Sequence, residues 1–102
     1  MYLVTRRFPK EEMYCLANQI RRSAISIPSN IAEGRARHST RDYMRFVMIA
    51  RGSTAELETQ LLIAQSLNYI GSEELNFLIN DLNQIGRMLS GIFAKLDAKS
   101  IP

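Results

Sequence analysis

The chain has 102 residues, of which 46% are hydrophobic and 23% charged, and its net charge is +3. This composition excludes a disordered chain and allows one small domain with a modest core, spanning residues 1–102. No apolar run approaches the roughly 20 residues that cross a bilayer, and no signal peptide opens the chain. The single cysteine, Cys15, excludes an internal disulfide and is typical of a reducing compartment. We therefore expect a soluble, cytoplasmic protein without a membrane partner.

The first long segment has the features of a helix that begins at Pro9 and ends at Gly34. Pro9 suits a first helical turn, where Glu11 and Glu12 would face the positive end of the helix dipole. One face then carries Leu16, Ile20, Ser23, Ile27 and Ile31. Pro28 lacks a backbone donor and crowds the preceding turn, which predicts a kink or break there. Gly34 is expected to be a C-terminal glycine cap.

Two further helices are predicted. The first begins near Ser39 or Thr40, and its stripe comprises Tyr43, Phe46, Val47, Ala50, Thr54, Leu57, Leu61 and Ala64. Gly71 is expected to be its C-cap, and Ser72 the N-cap of the last helix. The last stripe comprises Leu75, Leu78, Ile79, Leu82, Gly86, Leu89, Phe93 and Leu96. Gly86 on that stripe predicts a close approach of a neighbouring helix. The chain thus reads as an all-α bundle.

Several large apolar residues lie outside these stripes, which predicts a second buried surface. The expected oligomer interface comprises Met44, Met48, Leu62 and Ile63, and the last helix adds Phe77 and Met88. Extended apolar patches usually mark interfaces, so we expect a homo-oligomer. The alternative is that other helices of the bundle cover these side chains.

Basic charge is concentrated in residues 21–51, which hold seven arginines and two carboxylates, whereas residues 52–102 hold three cations and six carboxylates. Arginine is suited to bidentate contacts with phosphate. The predicted nucleic-acid contacts are Arg35, Arg37, Arg41, Arg45, Arg21 and Arg22. Arg37, Arg41 and Arg45 are four residues apart and would form a ladder on one side of a helix. In the alternative, these arginines solvate the bundle or pair with Asp42, Glu56 or Glu58 across subunit contacts.

A set of polar residues occupies the predicted helix junctions. It comprises Asn30, Glu33, Arg51, Ser53 and Glu56. We expect a buried hydrogen-bond network that fixes how the helices meet, with Glu33 paired to Arg51. A binding site is the alternative interpretation of the same residues.

No arrangement of residues points to catalysis. His38 is the only histidine, so one chain offers no histidine-based metal site. Cys15 has no histidine near it in the sequence, and no glycine-rich phosphate loop is present. We therefore expect no enzyme activity, no metal, no cofactor and no small-molecule substrate.

A set of motifs between residues 6 and 96 carries a resemblance to a known family. The motifs are "FP..E" at 8–12, "Q.RR" at 19–22, "SIPSNIAEG" at 26–34, Arg37, "Y..F...A.GS..ELE.QL..A" at 43–64, "LNYI" at 67–70 and "RML.G" at 87–91. This pattern resembles the four-helix-bundle proteins encoded in intervening sequences of bacterial 23S ribosomal RNA genes. That family looks related to the accessory variability protein of diversity-generating retroelements.

The resemblance implies an up-and-down antiparallel bundle that assembles as a homopentamer, with a basic surface proposed to bind nucleic acid. It also implies a further full-length helix before the "FP" motif, where this chain has only "MYLVTRR". We therefore expect the first helix to be a stub. Two explanations stay open: the start lies downstream of the natural one, or this variant leaves open a groove that the helix fills.

Two functional hypotheses follow. In the first, a non-enzymatic homo-oligomer, pentameric by resemblance, binds the RNA or DNA backbone through its arginine-rich surface. In the second, the protein is an interaction scaffold whose arginines serve subunit or partner contacts.

Overall fold

The computed structural model describes residues 1–10 and 15–100, and these residues are helical with short connections. The helices are α1 (Tyr2–Thr5), α2 (Leu16–Arg35), α3 (Thr40–Ser66) and α4 (Ser72–Ser100), and the described residues contain no strand. The all-α class and the short first helix are therefore confirmed. Pro9 is not helical, and Glu11 and Glu12 of the predicted first turn lie outside the described residues.

The three long helices form an elongated antiparallel bundle of 52 × 24 × 16 Å, with α3 packed against both α2 and α4. Short turns reverse the chain direction between consecutive helices. The main core cluster joins the start of α2, the end of α3 and the start of α4. Its buried members are Phe8, Ala17, Ile20, Ile27, Leu57, Leu61, Ala64, Ile70, Leu75 and Leu82. A smaller cluster of Val47, Ala50 and Leu89 joins α3 to α4 nearer the other end.

The predicted stripe of α3 is confirmed as the face that packs into the bundle. Tyr43 is half-buried, and the other seven members of that stripe are buried. The helix begins at Thr40, and the backbone N–H of Asp42 donates to Ser39 Oγ at 3.0 Å. A serine side chain in this position satisfies one of the free donors of the first turn. The sequence therefore located both the face and the start of α3.

Pro28 does not break α2, so the predicted break is wrong, whereas the alternative of a kink stays a prediction. The helix runs from Leu16 to Arg35 with Pro28 inside it and exposed. A proline removes one helical hydrogen bond and strains the turn before it. Here Ile27 is buried and Ile31 is half-buried against the core, on the turns around the proline. Packing of these turns holds the helix together where the hydrogen bond is missing.

The predicted roles of Gly34 and Gly86 are both wrong. The C-cap of α2 is Ala36, in a right-handed conformation, and no described glycine has a positive φ. Gly34 is instead the point of close approach: a Cβ there would lie 2.8 Å from Tyr43 Cδ1 and 2.9 Å from Phe46 Cβ. At Gly86, a Cβ would meet no atom within 4 Å. The close approach of two helices is therefore at Gly34, next to the turn between α2 and α3.

The turn between α3 and α4 uses Asn68 where the prediction placed Gly71. Asn68 has a φ of 65°, and its backbone N–H donates to the Gln65 carbonyl at 2.9 Å. The next N–H, of Tyr69, donates to the Ala64 carbonyl at 2.9 Å. These two bonds form a Schellman motif, in which asparagine tolerates the left-handed position. Gly71 instead precedes α4, and its carbonyl accepts from Leu75 N–H at 2.9 Å.

Ser72 is the first residue of α4 and not its N-cap as predicted, because the cap position falls one residue earlier, on Gly71. Its hydroxyl accepts a hydrogen bond from Gln65 Nε2 at 3.2 Å. This contact ties the end of α3 to the start of α4.

Within residues 1–10 and 15–100, none of the helices combines the length and apolarity needed to cross a bilayer.

Candidate nucleic-acid interface

Four arginines surround the turn between α2 and α3, and we call them the junction arginines: Arg35, Arg37, Arg41 and Arg45. Arg35 is the last residue of α2, Arg37 lies in the connection, and Arg41 and Arg45 lie on α3. All four are exposed. The turn therefore brings four exposed guanidinium groups to one end of the bundle.

The predicted three-residue ladder is wrong at Arg37, because α3 begins only at Thr40. Arg41 and Arg45 remain one turn apart on α3. Arg37 reaches the same surface from the connection: its Cζ lies 5.0 Å from the Phe46 ring centroid, and Arg45 Cζ lies 4.7 Å from that centroid. Both guanidinium groups thus contact one aromatic ring, which favours a fixed position for each.

The junction arginines differ in how they are paired. Arg37 Nη2 donates to Glu33 Oε1 at 2.7 Å, and Arg45 Nε lies 3.9 Å from Asp42 Oδ1. Arg35 and Arg41 form no ion pair within the described residues. Exposed pairs are worth only about 0–1 kcal/mol, so a phosphate competes readily with the two carboxylates. Arg35 and Arg41 offer their donors without such competition.

Arg21 and Arg22 do not join this cluster. Arg21 is half-buried, its Nε donates to Thr5 Oγ1 at 2.8 Å, and its Cζ lies 4.0 Å from the Tyr2 ring centroid. Arg21 therefore connects α1 to α2, apart from the junction arginines. Arg22 is exposed, but it lies about 20 Å along α2 from Arg35. It lines a separate polar cleft of about 430 Å³ between α2 and α3.

The predicted polar network is only partly present. Ser53 is buried, and its Oγ lies 2.7 Å from Ser26 Oγ. Asn30 Nδ2 donates to the Ser26 carbonyl at 2.8 Å and to Ser26 Oγ at 2.9 Å. Sequence reasoning missed Ser26, although its position four residues before Asn30 could have indicated it. The bond between Ser26 and Ser53 joins α2 to α3, and Asn30 holds the Ser26 side chain from within α2.

The other predicted members of the network lie outside it. Glu33 pairs with Arg37, so the predicted Glu33–Arg51 pair is wrong. Arg51 and Glu56 are exposed, and Arg51 Nη1 lies 3.6 Å from Met48 Sδ. Among the predicted polar residues, the bond between α2 and α3 is therefore made by Ser53 with Ser26 and not by an ion pair.

The predicted interface residues of α3 are mostly uncovered. Met48, Leu62 and Ile63 are 47%, 48% and 44% exposed, and Met44 is half-buried. Phe77 and Met88 on α4 are more exposed, at 68% and 67%. Sequence reasoning missed Ile25 and Ile49, which are also exposed. Other helices of the described bundle therefore do not cover these side chains.

Chemistry-bearing residues outside the arginine cluster are dispersed. His38 and Cys15 are both exposed. Across the part of the chain that the structure describes, no three His, Cys, Asp or Glu side chains are grouped closely enough to hold a metal ion.

The fold and its charged end define a class: a small antiparallel helical-bundle protein with an arginine-rich helix junction. The family model of the 23S rRNA-intervening sequence protein matches residues 1–91. The chain belongs to this family, as the motifs indicated. No protein with a curated description matches the chain.

Proposed function

We propose that the protein is a non-enzymatic homo-oligomer that binds the phosphate backbone of RNA or DNA through its junction arginines. The observation that carries this proposal is the exposure of four arginines at one turn, two of them without an ion-pair partner among the described residues. Arginine at a protein surface is well suited to bind phosphate oxygens in a forked geometry. We further propose a pentamer, a number that comes from the family resemblance alone.

Backbone contact fits this surface better than base recognition. Phe46 is the aromatic ring at its centre, but that ring is only 9% exposed and lies under Arg37 and Arg45. Stacking on single-stranded bases requires an accessible aromatic face. Phosphate contacts fix position without reading sequence, so we expect little sequence preference.

Assembly into an oligomer would strengthen the positive potential of the junction arginines, which is weak in a single chain. The segment from residue 33 to residue 46 holds four arginines and two carboxylates, a small excess in one chain. Repetition of the segment around a ring concentrates positive potential and attracts a polyanion over a longer range. The exposed side chains of Met48, Leu62 and Ile63 support the assembly, because buried apolar surface stabilises subunit contacts.

The variant that tests the phosphate contacts is Arg35→Ala/Arg41→Ala. Binding of a labelled structured RNA and of a duplex DNA is followed by anisotropy from low to physiological salt. We expect the log–log salt slope to flatten by about one per lost contact, because each phosphate contact releases condensed counterions. The matched control is Arg51→Ala/Arg87→Ala, which removes the same charge from exposed positions elsewhere.

The control should retain most of the slope of the unmodified protein. Absence of binding at low salt would contradict the proposal. An equal flattening of the salt slope in both double variants would also contradict it. The oligomer mass of every variant is measured first, so that lost binding is not lost assembly.

The interaction scaffold stays as the second candidate, because Arg37 and Arg45 already have carboxylate neighbours and apolar side chains are exposed. Met48→Glu should reduce the oligomer mass measured by sedimentation, since a buried unpaired charge is costly. Ile25→Glu, an apolar-to-acid change on α2, is the control and should leave the mass unchanged. Mass loss without any nucleic-acid binding by the unmodified protein favours the scaffold, whereas unchanged mass contradicts the α3 interface.

A further inference from the structure

We infer that the polar cleft between α2 and α3 binds a free α-amino acid with a small polar side chain. The cleft has a volume of about 430 Å³ and is lined by Gln19, Arg22, Ser23, Ser26, Ser53 and Glu56. All six lining residues are polar, so the cleft offers little surface to a large apolar ligand. It is separate from the junction arginines, and the inference goes beyond the proposed function.

Two opposite charges on the two walls of the cleft are the first observation. Arg22 lies on α2 and Glu56 lies on α3, and both side chains are exposed. Neither forms an ion pair with any residue that the structure describes, each other included. Walls of opposite charge favour a ligand that carries both charges over a simple anion or a simple cation, which one wall would repel.

The register of the two helices places these charges at one level of the cleft. Ser26 Oγ lies 2.7 Å from Ser53 Oγ, and this contact shows where the antiparallel helices meet. The residue three before Ser26 and the residue three after Ser53 are therefore level with each other. They are Ser23 and Glu56, and Arg22 is one residue from Ser23, a rise of about 1.5 Å. The two charges therefore face each other across the cleft rather than along it.

A buried serine hydroxyl at the bottom of the cleft is the second observation. Ser23 is only 6% exposed, and its hydroxyl forms no hydrogen bond with any described residue. Among the described residues, Gln60 Oε1 is the one side-chain oxygen or nitrogen sealed from solvent without a partner, so Ser23 Oγ is reached from the cleft that it lines. Buried polar groups are nearly always hydrogen-bonded. An acceptor atom of a bound ligand would complete the bonding of this hydroxyl.

The pair of Ser26 and Ser53 supplies a second donor. Two hydroxyl groups carry two protons, and the bond between their oxygens uses one of them. Asn30 Nδ2 donates to Ser26 Oγ, which occupies an acceptor site and uses no hydroxyl proton. Neither serine donates to any other described group, so one proton of the pair remains for a ligand.

These donors and charges match the two charged groups of a free amino acid. Its carboxylate would accept hydrogen bonds from Arg22 and from the serine hydroxyls, because an ionised acceptor forms the stronger bonds. Its ammonium group would donate to Glu56. The end of a peptide chain carries only one of these two charges and would leave one wall without a partner. Gln19 at the rim offers an amide to a polar side chain.

Titration with L-serine, followed through the backbone amide resonances of the isotope-labelled protein, tests the cleft. We expect saturable shifts around the cleft, with a Kd of about 1 mM or tighter. Arg22→Ala, Ser23→Ala and Glu56→Gln should each weaken binding by about tenfold, since each removes a hydrogen bond to a charged ligand group. The matched controls Arg87→Ala and Glu73→Gln remove the same charges from exposed positions on α4 and should bind L-serine as the unmodified protein does.

Two ligands that each lack one charge test which residue faces which group. L-Glycerate has a hydroxyl in place of the ammonium group, and L-serinamide has an amide in place of the carboxylate. Both should bind the unmodified protein about tenfold more weakly than L-serine does. The preference over L-glycerate should disappear in Glu56→Gln, and the preference over L-serinamide should disappear in Arg22→Ala. Equal binding of the three ligands, or preferences that survive in these variants, would overturn the inference.

Absence of saturable shifts with L-serine would also overturn it. RNA binding by the same preparation separates this result from the proposed function, because the cleft and the junction arginines share no residue. Retained RNA binding without L-serine binding rejects the cleft alone. L-serine binding without RNA binding supports the cleft and rejects the nucleic-acid proposal.

Discussion

Gly34→Ala should lower the free energy of unfolding by about 1–3 kcal/mol, the usual range for overpacking a well-packed contact. The added methyl would lie 2.8 Å from Tyr43 Cδ1 and 2.9 Å from Phe46 Cβ. The tyrosine ring can turn aside, but Phe46 Cβ moves only with the backbone of α3. Because α2 and α3 would have to separate, the clash outweighs the helix-propensity gain of about 0.5–1 kcal/mol. Chemical denaturation measures the change.

Gly86→Ala is the matched control for that experiment. Gly86 also lies inside a helix, but an added Cβ there meets no atom within 4 Å. We therefore expect this variant to gain about 0.5–1 kcal/mol, the difference between glycine and alanine in a helix. The opposite signs are the critical result. If Gly34→Ala were as stable as Gly86→Ala, the close contact of α2 with Tyr43 and Phe46 would not exist in solution.

These two glycines show what periodicity can and cannot predict. Gly34 was predicted as a helix cap and Gly86 as a point of close helix approach, whereas the close approach is at Gly34. The buried stripe of α3, in contrast, follows directly from residues spaced at helical intervals. Periodicity assigns a face to a residue, but it does not give the distance between two helix axes. That distance depends on how Tyr43 and Phe46 pack on α2. The sequence therefore did not distinguish which glycine lies at a close contact between two helices.

Helix ends were predictable where a side chain makes a local hydrogen bond. Ser39 caps α3 by accepting a hydrogen bond from the residue three positions later, so the local sequence is enough to predict its role. Asn68 is different, because glycine is the more frequent residue in a left-handed position and Gly71 was close by. α3 ends at Ser66, and the left-handed residue that follows its C-cap is Asn68 and not Gly71. Residue preference for the left-handed conformation alone did not predict that Asn68, and not Gly71, would take this position.

The arginine surface was predicted in composition but not in geometry. Arg41 and Arg45 lie where helix spacing places them, whereas Arg37 reaches the same surface from a connection. Glu33 pairs with Arg37 across the end of α2 rather than with Arg51. Pairing of long charged side chains depends on small differences in position that a helix pattern does not contain. The separation of Arg21 from the cluster likewise depends on where α1 packs.

The largest stability effect is expected at Leu61, whose side chain is fully buried in the main core cluster. Leu61→Ala should lower the free energy of unfolding by about 2–5 kcal/mol, through lost apolar burial and the cavity that remains. Leu62→Ala makes the same chemical change one residue later, at a side chain that is 48% exposed. In a dissociated copy it should cost less than about 1 kcal/mol, because little buried surface is lost.

Protein concentration distinguishes the two leucines further. If Leu62 lies in the α3 interface, its truncation weakens assembly, and assembly stabilises the folded state by mass action. The loss caused by Leu62→Ala should then grow as concentration rises, measured as the difference in denaturation midpoint from the unmodified protein. The loss caused by Leu61→Ala acts within each copy and should remain large at every concentration. Equal, concentration-independent losses at both positions would contradict the difference in burial between Leu61 and Leu62 and the place of Leu62 in the interface.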